Sequence, residues 1–76
     1  MIHELETVVL LHDVPHHDLK AGDVGAVVHR YGDNSAFEVE FVTAEGRTLA
    51  VLTLTGSDVR PVRGSEILHV RELAQA

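Results

Sequence analysis

Phe37-Glu38-Val39-Glu40-Phe41 alternates large apolar and acidic side chains over five residues. On an extended strand successive side chains point to opposite faces, whereas a helix would scatter these five around its circumference. The pattern therefore predicts a strand with Phe37, Val39 and Phe41 turned inward and Glu38 and Glu40 turned to water. Residues 5–11, 24–31, 47–54 and 59–62 repeat the strand reading, each rich in Val, Leu or Thr and each bounded by turn formers. No run of ten or more residues before residue 64 shows clean helical periodicity.

The turns fix the order. Residues 12–22 form a long loop, because Pro15 has no N–H to give a ladder. Gly32-Asp33-Asn34-Ser35 and Ala44-Glu45-Gly46 supply two tight hairpin turns, with Gly46 expected at positive φ. Residues 55–58 are expected to make one 3₁₀ turn, and Pro61 marks the last short strand as an edge. Strand, long loop, three strands joined by hairpins, a tight turn and a short strand is the order of an SH3-like barrel. The fold class is thus all-β: a small five-stranded SH3-like barrel over residues 1–63, with a short C-terminal extension over 64–76. In the extension, Leu68 and Val70 fit one face of a short strand, which the β-branched residues favour. Ile67, Val70 and Ala74 fit a short helix instead.

The chain has 76 residues, enough for one domain with a modest core and no deep cleft. It contains no cysteine, so no disulfide or thiolate metal site exists. Its net charge is −6, which repels phosphate and anionic lipid, so neither nucleic acid nor membrane is an expected partner. The acidic N-terminal stretch and the four-residue apolar run 8–11 do not read as a secretory signal. A cytoplasmic location is the expectation.

Pro15-His16-His17-Asp18-Leu19-Lys20-Ala21-Gly22-Asp23-Val24-Gly25-Ala26-Val27-Val28, and Phe37–Val42 followed by Glu45-Gly46, carry a resemblance. Together they resemble the small bacterial proteins of domain-of-unknown-function family 4926, over roughly residues 5–62. The resemblance implies no assigned activity and no catalytic residues to transfer. It also implies a gene that sits beside another small gene, as antitoxin and immunity genes do. Gly22-Asp23-Val24-Gly25 is also similar to the start of a KOW-type motif. Two glycines leaving a loop under a crowded corner explain it better.

Three sets of residues are candidates for function. His12, His16 and His17 lie within six residues of loop, beside Asp13 and Asp18, and imidazoles with carboxylates suit zinc, nickel or copper. The spacing matches no structural zinc pattern, and a solvated polar loop is the competing reading. No cofactor is expected. Enzymatic activity is not expected either: Ser35, Ser57 and Ser65 sit in turns or the tail, and Glu38 with Glu40 reads as a solvated face. The third set is apolar. Residues 49–52 are apolar on both faces, and the tail adds four large aliphatics, so Leu49, Val51, Ile67, Leu68, Val70 and Leu73 are the candidate interface. The leading function is a non-enzymatic protein-binding module whose partner is another protein or a second copy. A metal- or pH-responsive protein using the loop histidines, and a nucleic-acid accessory module, are the alternatives.

Overall fold

The computed structural model describes residues 2–74. Met1 and residues 75–76 of the extension lie outside the described residues. Five strands form one antiparallel sheet: β1 Thr7–Leu10, β2 Val24–Tyr31, β3 Ala36–Val42, β4 Thr48–Thr55 and β5 Val59–Pro61. Their order across the sheet is β4-β3-β2-β1-β5. Consecutive strands β4 and β5 thus occupy opposite edges. In a flat sheet four inter-strand steps would separate them by about 19 Å. The connection from Thr55 to Val59 spans at most about 14 Å when fully extended. The sheet must curl until its edges approach, which makes the all-β fold an SH3-like barrel, left open between β4 and β5.

The inward face is the expected one. Phe37, Val39 and Phe41 of β3 are buried, as are Val8 and Leu10 of β1, Val27 of β2 and Val59 of β5. Leu19 is buried too and pins the long loop onto the barrel. Ile2 joins this core from ahead of β1. Leu52 lies opposite Val39 on the same inward face yet is only partly buried, because β4 is an edge strand that pairs with β3 alone among the described residues. Ala50 and Leu54 of β4 are buried more deeply.

Two irregularities bend the sheet. The β2–β3 register shifts between Val27 and His29, and the β3–β4 register shifts between Phe41 and Val42. Each leaves an extra residue, Val28 or Leu49, out of the pairing and increases the local twist. Leu5 adopts φ 69°, so β1 begins at Thr7 rather than at residue 5. The 3₁₀ turn is displaced from its expected place: it spans Pro15–His17 in the long loop, while residues 55–58 form a plain turn. Proline presets φ for a first helical position and has no N–H to leave unpaired there, so this turn nucleates at Pro15.

The extension is neither the short strand nor the short helix expected of it. Residues 64–74 lack regular structure, because side chains rather than a backbone ladder hold them. No helix among the described residues is long and apolar enough to cross a membrane.

Candidate functional site

The structure separates the loop histidines. His16 and His17 are adjacent on the 3₁₀ turn, where successive residues rotate by about 120°, so their rings diverge. His12 turns to another element, its Nε2 lying 2.7 Å from Asp58 Oδ1. Among the described residues no group of three or more His, Asp or Glu is placed to hold a metal ion. The structure thus does not bring His12, His16 and His17 together: His12 faces Asp58, and His16 and His17 lie on the 3₁₀ turn.

That commitment has its own chemistry. His12 Nδ1 lies 3.1 Å from the Asp13 carbonyl oxygen. Both ring nitrogens face pure acceptors, and only the imidazolium has two N–H groups to give them. The Asp58 carboxylate, then the Asp13 carbonyl, raise the His12 pKa above its usual value. Hydrogen bonds from His12 and the Thr55 N–H lower that of Asp58. The pair ties the β1–β2 loop to the β4–β5 turn, beside the Leu11 N–H to Asp58 carbonyl bond of 2.8 Å. A histidine pKa raised by folding contributes stability below its unfolded value of about 6.5, lost as pH rises through the folded value. We expect an imidazole NMR titration to place the His12 midpoint above about 6.5, and Asp58→Asn to bring it back toward that value. Equal midpoints in the two proteins would show that the pair does not form in solution.

The tail is held at two points. At its start, Arg60 donates two bonds to Glu66, of 2.9 and 2.6 Å, and the Arg63 N–H donates another of 2.6 Å. The Arg60 guanidinium, then the Arg63 N–H, pull the Glu66 carboxyl down to about 2. At its end, Arg71 forks onto Asp23 with bonds of 2.8 and 2.5 Å and gives a third, of 2.7 Å, to the Asp18 carbonyl. Partial burial opposes ionisation of Asp23, but Arg71 and the Lys20 N–H outweigh it and hold its pKa below the usual carboxylate value. The Ala74 N–H donates to Asp18 Oδ2 at 2.7 Å. Both clamps therefore persist at neutral pH and fail only in acid.

Between the clamps, Ile67 is 91% exposed, Leu68 69% and Val70 90%. Among the described residues no hydrogen bond reaches the backbone of these residues or of His69. Leu73 is half-buried beside Leu49, and both border a groove of about 640 Å³ between the tail and the β3–β4 hairpin. Leu19, Phe41 and Val42 line the same groove. Val51 is 48% exposed on the outer face of β4, opposite Glu40, and does not line this groove. The expected interface residues thus fall into two places, the tail with Leu49, and β4 with Val51.

On the outer face the two glutamates are tied to β4. The Thr48 hydroxyl donates to Glu40 at 2.6 Å and the Thr53 hydroxyl donates to Glu38. These carboxylates are half-buried rather than fully solvated, and each accepts a β4 hydroxyl.

Comparison with family models matches residues 4–61 to the family described as a domain of unknown function, DUF4926. The chain belongs to this family. The DUF4926 match covers the five strands through Pro61, and the clamped span of the tail lies beyond it. Comparison with curated proteins and with solved structures returns no match.

Proposed function

We propose that this chain is a non-enzymatic protein-binding module that offers residues 67–70 to a partner protein as an extended segment. The observation that carries the reading is the pair of clamps around an uncommitted span. Arg60–Glu66 and Arg71–Asp23 fix the ends, while three aliphatic side chains and the backbone groups between them face water. Burying such a side chain on a partner is worth roughly 1.5–3 kcal/mol. Fixing the ends beforehand removes part of the ordering cost that binding otherwise meets. Free backbone N–H and C=O groups suit strand addition to the edge of a partner's sheet, and the side chains supply specificity.

Tagged full chain and its Ile67→Asp/Val70→Asp variant, each expressed in the source cell, test this. A stoichiometric partner recovered with the first and lost with the second is the expected result. Arg71→Ala should weaken the same complex, since it frees the tail without removing an aliphatic residue. Equal recovery by wild type and the double variant would place the contact elsewhere.

A further inference from the structure

A protease takes its substrate as an extended strand, bonds its main chain and seats the side chain before the cut in a pocket. In a folded chain the bonds open to it are those whose backbone is exposed and unpaired. Large apolar side chains suit such a pocket, and this fold withholds most of its own. Phe37 and Phe41 are buried in β3, and Tyr31 is paired with Ala36 in the β2–β3 ladder. Leu10, Leu19 and Leu54 are buried, Leu49 and Leu52 are partly covered in β4, and Leu73 is half-buried. Three leucines are exposed: Leu5, Leu11 and Leu68. Leu5 sits at φ 69°, which is not extended, and its N–H bonds the Val27 carbonyl oxygen. The Leu11 N–H bonds the Asp58 carbonyl oxygen. Leu68 carries neither restraint. From residue 66 to residue 73 the chain makes no turn or bend and no φ is positive.

We propose that the Leu68–His69 bond is the cleavage site for a serine endoprotease whose primary pocket takes leucine, and that the cut strips the end of the tail from the barrel. The protease's serine hydroxyl adds to the Leu68 carbonyl carbon and the C–N bond breaks. Its histidine passes the hydroxyl proton to the departing His69 nitrogen. Water then displaces the serine, leaving a Leu68 carboxylate, a released proton and a free amine on His69. The Arg71–Asp23 clamp does not survive this step. In the intact chain residues 64–70 tether Arg71 to the barrel, and a short tether supplies an effective concentration of about millimolar order. After the cut Arg71 and the half-buried Leu73 must hold a short peptide unaided, and at micromolar concentration it leaves. Asp23 then loses its guanidinium partner, and Leu49 loses Leu73 from the pocket they share. No described residue of the tail belongs to the apolar core, so the barrel outlasts the cut. The inference shares the span 67–70 with the binding reading but needs no partner to dock there, and it is tested on the chain alone.

Purified full chain treated briefly with a low proportion of chymotrypsin, followed by intact-mass spectrometry and gel filtration, is the test. The first product is expected to be residues 1–68, with the peptide that begins at His69 eluting apart from it. Leu68→Asp, at an exposed position outside the core, should abolish that product, and Leu5→Asp should leave its rate unchanged. An unfolded variant would be cut at the aromatic residues as well, so loss of the single product reads the site rather than the fold. A first cut after Leu5, Leu11, Leu73 or any aromatic residue would overturn the proposal. So would a cut chain that keeps the peptide through gel filtration.

Discussion

Phe41→Ala is expected to lower the stability of the domain by about 3–5 kcal/mol in urea or guanidinium unfolding. Phe41 is 2% exposed and stands opposite Ala50 across the β3–β4 ladder. Its ring also reaches over Gly25, the residue with the least side chain to offer. With Ala and Gly as neighbours, no adjacent side chain at those positions is long enough to fill the space the ring leaves. Deletion therefore costs the transfer energy of the ring plus a poorly collapsed cavity. At roughly 0.05–0.15 kcal/mol per residue, a chain of this size holds about 4–11 kcal/mol in total. The variant should be partly unfolded at 37 °C. A loss below about 1 kcal/mol would mean that the ring is not where the core needs it.

Gly25→Ala is expected to destabilise by about 1–3 kcal/mol, against the usual sign for a strand glycine. Glycine in a strand interior ordinarily weakens it, and replacement by alanine commonly gains stability. Gly25 lies in β2 opposite Val8, where its backbone conformation is open to any residue, so space decides the outcome. A Cβ there would sit 2.7 Å from Val39 Cγ1, 2.9 Å from Phe41 Cε1 and 3.0 Å from the Glu40 carbonyl oxygen. The two side chains can shift slightly within the core, but the carbonyl belongs to β3 and moves only with the sheet. Overpacking therefore outweighs the entropic gain. A thermal melt of Gly25→Ala at or above the wild-type midpoint would contradict the close packing of β2 on β3.

Much of the barrel was legible because its signals are local. The alternation in Phe37–Phe41 specifies a strand and its inward face without reference to anything else, and Gly46 at φ 87° closes the turn expected of it. Leu19 reads as an apolar residue in a polar loop, and it is buried. The features that went unread are non-local. Arg71 and Asp23 are 48 residues apart, and His12 and Asp58 are 46 apart, so nothing near either partner marks the pair. The aliphatics of the tail fit regular structure until the Arg71 anchor is in view, and no residue near His12 in sequence marks its bond to Asp58. The extra residues Val28 and Leu49 sit in runs whose composition is that of any strand. The half-open position of Leu52 follows from strand order, which the residue's own neighbours in sequence do not encode.

On the proposed function, residues 67–70 form a contact surface held out by the Arg60–Glu66 and Arg71–Asp23 clamps. Amide hydrogen exchange read by mass spectrometry, on the free chain and on the complex captured with it, tests this most directly. In the free chain these amides should exchange close to the rate of an unstructured peptide, while the β1–β2–β3 ladder is strongly protected. In the complex, protection should appear at residues 67–70. Slow exchange there in the free chain, or a complex that protects other amides and leaves these unchanged, would contradict the account.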